Sequence, residues 1–195
     1  MTPSASGRLI LVRHGESEGN AARRFTTNPE IELTALGWEQ AHAAGARIRA
    51  DFATQRIVAS SFRRAQQTAS AIAAAVGLAI ETEHELRERD FGVYAGRPYD
   101  TVFEDPAFDM EKRWQWTPAG GESLLDVSAR VVPATLRIAA ANPTADVVVV
   151  SHGGVMLTLS AHFAGTWDGI QVANNCGIIL VEHDGSSFGP PLFLV

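Results

Sequence analysis

Three short stretches carry residue types that can do chemistry. Arg13 and His14 directly follow the apolar run at 9–12. Arg63 and Arg64 lie in SSFRRA, just after the run at 57–59, and His152 sits between Ser151 and Gly153-Gly154, after the run at 147–150. A guanidinium fork grips paired oxyanion oxygens, and a neutral imidazole can take a phosphoryl group from an ester and pass it to water. Two arginines and two histidines converging with two helix N-termini would hold a tetrahedral dianion, for which phosphate is the natural candidate. The second histidine, if protonated, would stabilise the equatorial oxygens. The leaving alkoxide needs a proton, and HELRERDFG offers Glu85, Glu88 and Asp90, among which residue type alone does not choose.

Such convergence needs strands that end at a common edge. The runs at 9–12, 57–59, 79–81, 147–150 and 178–181 are short and apolar. LILV and VVVV lack alternation, as strands covered on both faces do. Helical stretches fill 34–51, 62–76, 123–141 and 155–163. Thr34 and Ser123 are suited to N-caps and Gly77 to a C-cap, while Pro133 is expected to kink or break the third helix. The alternation predicts an α/β fold, a three-layer α/β/α sandwich around a mostly parallel sheet, with ligands bound beyond the carboxyl ends of the strands. Residues 1–195 are expected to form a single domain. Residues 97–121 have no clear period and three prolines, and are expected to form a lid or pocket wall. Trp114 and Trp116 within it would either pin that loop to the core or select the organic part of a substrate.

The net charge of −6 over 195 residues repels nucleic acid and anionic membrane surfaces, so neither is an expected partner. An anionic substrate then needs a locally basic pocket. One cysteine, Cys176, excludes an intramolecular disulfide. The first residues show neither a signal peptide nor a membrane span, and the expected location is cytoplasmic. Nothing in the sequence sets an oligomeric state.

RHGES with Asn20, SSFRRAQQTA, LRERDFG, GGES and SHGG, in that order over residues 8 to about 183, resemble the histidine phosphatase superfamily, with its phosphoglycerate mutase-like fold. The resemblance implies that His14 is the phosphorylated nucleophile and Arg13 a phosphoryl ligand. With Ser60 and Thr68 setting the register, it implies Arg64 rather than Arg63 as the second arginine. It assigns proton donation to Glu88, the second histidine to His152 and a phosphate contact to Asn20. Ser17, Gly153 and Thr26 complete the expected substrate contacts. Thr26 and Thr27 stand where a small pair usually contains glycine. A small phosphorylated substrate, no cofactor and no metal are implied.

Rival chemistries fit the residues less well. GESEG at 15–19 matches the G-x-S-x-G elbow of serine esterases, with Ser17 as nucleophile, but Arg13 and His14 would then separate strand from elbow and the arginines would be idle. HELRE lacks the second histidine of H-E-x-x-H, and no other metal-ligand spacing stands out. A cysteine phosphatase needs arginine six positions after its cysteine, where this chain has Glu182. A non-catalytic phospho-ligand module would need only the arginines. Arg63 fits a solvated helix surface, and Glu85 and Asp90 fit surface groups or partners of Arg87 and Arg89. A phosphoglycerate mutase-type transfer is the nearest alternative, but the dependent mutases of this family carry a longer insertion after the LRERDFG position. Here Arg97, Lys112 and Arg113 are outnumbered by Asp100, Glu104, Asp105, Asp109 and Glu111, which favours transfer to water.

Overall fold

The structure, a computed structural model, describes residues 6–194. The apolar runs form the strands β1 (Gly7–Arg13), β2 (Thr54–Ala59), β3 (Ile80–Thr82), β4 (Asp146–Ser151), β5 (Ile178–His183) and β6 (Leu192–Leu194). They pair in the order β3-β2-β4-β1-β5-β6. The ladders β3-β2, β2-β4 and β4-β1 are parallel, while β5 runs antiparallel to β1 and β6 antiparallel to β5.

The side-chain period of two divides β1 between two cores. Leu9 and Leu11 join Val147 and Val149 in a layer covered by helices α4 (Leu124–Ala140) and α5 (Gly153–Ala164). Ile10 and Val12 join Val148 and Val150 under α2 (Ala35–Asp51) and α3 (Arg63–Val76). Each fully buried aliphatic side chain contributes about 1.5–3 kcal/mol, and β1 and β4 bury theirs on both faces. The result is the expected three-layer sandwich.

The expected caps form: Thr34 accepts from Gly37 N–H, Ser123 and Asp126 make a capping box, and Gly77 ends α3 in the left-handed conformation. Pro133 does not break its helix, which runs unbroken through it. Pro133 and Ala129, whose carbonyl loses its partner, both face solvent, so water can satisfy the freed acceptor. The short helix α1 (Glu18–Ala21) and the edge strand β6 were not expected from the sequence.

Two features place the future site. Three parallel strands end side by side: His14 N–H donates to Ser151 O, and Ser60 N–H to Val150 O, each at 2.9 Å. The first turn of α2 presses against the loop leaving β1, where a Cβ on Gly37 would lie 2.0 Å from Glu16 O. Residues 97–121 form 3-10 turns rather than bare coil, at Tyr99–Glu104 and Met110–Lys112. Their buried Val102 and Trp116 pack with Tyr94, Phe25, Phe91 and Phe108. The excursion is pinched at its base, where Val93 N–H donates to Ala119 O at 3.0 Å and Glu122 N–H to Asp90 O at 2.9 Å.

Gly37→Ala is expected to cost about 1–3 kcal/mol by overpacking, read as a lower urea midpoint at unchanged m-value. Leu36→Ala, next to it but exposed, should stay within about 0.5 kcal/mol. Equal effects of the two would refute the close approach.

Candidate active site

β1 ends on Arg13 with His14 directly after it, the first turn of α3 carries Arg64, and His152 caps α5 directly after β4. Topology therefore brings together the residues that spacing alone could only suggest. The two imidazoles meet edge to face, with ring centroids 5.1 Å apart.

Hydrogen bonding fixes the state of His14. Its Nδ1 lies 2.7 Å from Gly15 O, and a carbonyl can only accept, so Nδ1 carries the proton. Nε2 is left with its lone pair, which accepts from Arg64 Nε–H at 3.2 Å. Burial pushes the His14 pKa well below its ordinary value, and the charges of Arg64 and Arg13 push it further down. The imidazole is thus neutral at neutral pH, as a nucleophile must be.

His152 is fully buried and also neutral, first through burial and then through Arg64, His14 and Arg13. A protonated second histidine is thus disfavoured, first by burial and then by the neighbouring guanidinium charge, and needs the negative charge of a dianion to offset them. Ser60 Oγ lies 2.7 Å from His152 Nε2 and also accepts from Phe62 N–H. When Ser60 gives its hydroxyl proton to Nε2, His152 Nδ1, which has no partner in the protein, carries a hydrogen free to donate. Arg13 donates Nη1–H to Ala173 O at 2.7 Å, and its buried Nε is likewise unpartnered. The unspent Arg13 Nε–H, joined by His152 Nδ1–H in that tautomer, suits an oxyanion arriving at the bare His14 Nε2.

Arg13, His14 and Arg64 border a cavity of about 440 Å³ together with Asn20, Thr26, Glu88 and Gly153, while the fully buried His152 lies outside its lining, against the His14 ring. Its lining carries Arg13, Arg24, Arg64, Arg89 and Arg113 against one carboxylate, Glu88, so the acidic protein does hold a locally basic pocket. Burial lowers Arg64 to about 10, which still leaves it charged at neutral pH. Glu88 accepts from Arg89 N–H at 2.8 Å and from Gly154 N–H, at the start of α5, at 3.3 Å. A Cβ on Gly154 would meet the Glu88 carboxylate at 2.6 Å.

Not every expected residue reaches the cavity. Ser17 is fully buried and outside its lining; it caps α1 and makes a capping box with Asn20. It positions Asn20 instead of touching substrate, and it has no histidine beside it to activate it as an esterase nucleophile. Thr27 is absent from the lining, whereas Thr26 is present. Trp114 stacks on Trp167 outside the cavity, so it pins the loop, while the buried Trp116 forms part of the wall. Arg63 pairs with Glu32 on the surface, and Glu85 with Arg87. Asp90 is not the partner of Arg89, whose guanidinium donates to the carbonyls of Glu122 and Trp116.

Sequence reasoning missed the groups that hold the machinery in place. Asn175 donates Nδ2–H to His14 O and to Asn20 Oδ1, at 3.0 and 3.1 Å. Arg130 donates to the carbonyls of Glu85, Arg87 and Glu88 and forks onto Glu122 at 2.8 and 2.9 Å, fixing the loop that presents Glu88. Cys176 is strained, with φ +55, and its N–H reaches Arg13 O; burial pushes its thiol up to about 12. Among the described residues no group of three or more His, Cys, Asp and Glu is arranged to hold a metal ion, and no helix is long and apolar enough to cross a membrane.

The depressed histidine pKa values tie stability to pH. Below about 6.5 the unfolded chain protonates His14 and His152 while the folded chain does not, so stability is full above that pH and falls as pH drops through it. The slope should reach about 1.4 kcal/mol per pH unit per histidine. Urea unfolding at pH 7 and pH 5.5 measures this, and ¹⁵N chemical shifts should show His14 still neutral and protonated on Nδ1 at pH 6.5. An imidazolium signal there would overturn the assignment.

The sequence profile of the histidine phosphatase superfamily (branch 1) matches residues 9–190. A glucosyl-3-phosphoglycerate phosphatase of Mycobacterium tuberculosis is 35% identical over 166 residues, covering 79% of this chain and 74% of that protein. A probable phosphoglycerate mutase of Yersinia pestis is 33% identical over 191 residues, covering 92% of this chain and 86% of its own. The solved structure of a mycobacterial glucosyl-3-phosphoglycerate phosphatase in complex with VO3 superposes with a TM-score of 0.84 at 29% identity, covering 96% of this chain and 97% of that one.

Proposed function

The chain belongs to the histidine phosphatase superfamily, and we propose that it is a metal-independent phosphomonoesterase working through a phosphohistidine on His14. The observation that carries this reading is the His14 tautomer, with Nδ1–H tied to Gly15 O and Nε2 bare beside Arg64. The ester's phosphoryl group binds to Arg13 and Arg64, with Asn20 and the free Nδ1–H of His152 on its remaining oxygens. Nε2 attacks phosphorus, the P–N bond forms as the P–O ester bond breaks, and the Glu88 carboxyl gives its proton to the departing alkoxide. Glu88, now a carboxylate, takes a proton from water, whose oxygen attacks phosphorus. The P–N bond breaks, and inorganic phosphate leaves with His14 restored.

This reading treats the chain as one domain acting in the cytoplasm on a small phosphorylated molecule. The name of the mycobacterial relative offers glucosyl-3-phosphoglycerate as one substrate to try. The Yersinia relative's name keeps mutase-type transfer as the alternative. With a phosphoglycerate, isomerised product without free phosphate would favour transfer over hydrolysis.

His14→Ala should remove all measurable phosphate release at unchanged circular dichroism, and substantial residual turnover would end the assignment. Wild-type protein quenched in mid-turnover should carry acid-labile, alkali-stable phosphate. Glu88→Gln should slow alkyl esters about 10²–10⁴-fold and p-nitrophenyl phosphate far less, since that leaving group scarcely needs a proton; uniform slowing would place the acid elsewhere. Activity should survive EDTA.

A further inference from the structure

Beyond the phosphate end, the cavity changes character. Its outer wall is built from Phe25, Phe91, Phe108, Trp116, Leu124 and Leu157. Phe25 and Phe91 pack at 4.5 Å and Phe108 meets Trp116 edge-on at 5.1 Å, so the wall is an interlocked aromatic surface that needs no rearrangement to receive a ligand. At the mouth stand Phe103, Met110 and Val172, which are 63%, 48% and 50% exposed. Large apolar side chains left in water and gathered around one opening mark a surface meant to be covered.

Part of the polar complement of this wall is already bound within the protein. Tyr99 OH accepts from Asn20 Nδ2–H, and Trp116 Nε1–H donates to Asp105. Arg89 serves two main-chain carbonyls. Arg24 holds Gly96 O and Arg113 holds Ile170 O, bracing the rim. A polyhydroxylated leaving group would give up its water against the faces of Phe25, Phe91, Phe108 and Leu157, which return no hydrogen bond. An apolar body would gain from every methylene buried. The volume suits this, since cavities of about 300–1,000 Å³ take small organic ligands.

We infer that the substrate is the phosphate monoester of an apolar alcohol, alkyl or aryl, whose hydrocarbon body lies against Phe25, Phe91, Phe108, Trp116 and Leu157 while its phosphate meets His14. The inference rests on the phosphatase reading and deepens it. It also separates this chain from the polar substrate in its mycobacterial relative's name.

Primary alkyl phosphates from ethyl to octyl share one leaving-group chemistry, so their series isolates the wall. Each added methylene should raise kcat/KM about fourfold until the cavity is full, and Val172→Asp or Phe103→Ser should flatten that slope. A flat series overturns the inference. So does glycerol 3-phosphate, 3-phosphoglycerate or glucosyl-3-phosphoglycerate turning over as fast as the hexyl ester, which would hand Arg24 and Arg113 to a hydroxyl or carboxylate. Alkylphosphonates, which cannot be hydrolysed, separate the two proposals: their Kd should tighten with chain length whether or not any ester turns over. Absent turnover with that trend intact would sink the phosphatase reading alone. Chain-independent phosphonate binding would sink the apolar pocket.

Discussion

The burial of Arg64 is the constraint on which the rest of the structure turns. Its side chain is 1% exposed, and its contacts are Asn28 O, His14 Nε2 and the face of Phe62. A guanidinium placed there loses its hydration for partners that are dipoles, a π-face and the more distant field of Glu88. The stability given up this way does chemical service. Low polarity and nearby positive charge together keep His14 and His152 neutral, and the same positive field attracts a dianion. Reactivity and local instability thus have one source.

What supports that arrangement is mostly main chain. Strand ends lock to one another through His14 N–H and Ser60 N–H. Asn175, Ala173 and Cys176 clasp the Arg13-His14 segment from the far side. Arg130 and Glu122 grip the loop bearing Glu88. The side chains of the candidate site are therefore fixed at their roots by main-chain bonds.

This split explains what the sequence could and could not reveal. Arg13, His14 and His152 stand out because reactive residues break apolar runs at strand ends, where parallel pairing must gather them. Arg64 stands out from Arg63 only through the family register, and burial against surface pairing supplies the physical difference. Asn175, Arg89 and Arg130 left no trace because they bind carbonyls, which every residue possesses, so no spacing rule marks them. Ser17 was misjudged because a helix cap and a ligand contact call for the same hydroxyl. Pro133 misled because propensity ignores which way the freed carbonyl faces. The edge strand β6 was missed because it is three residues long and largely exposed.

The pinch beneath the aromatic wall has a consequence for how such a protein can diversify. Both ends of the segment 93–119 are stapled within hydrogen-bonding reach of each other, at Val93–Ala119 and Asp90–Glu122. The segment is held at this stem and again at the loop 23–25, where Phe25 N–H meets Arg97 O and Tyr99 N–H meets Arg23 O. The stretch between these anchors can therefore change in length at a modest entropic cost that grows only with the logarithm of length. Evolution, or an engineer, can exchange it as a cassette. The hydrolytic centre would stay as it is while the repertoire of accepted alcohols is rewritten.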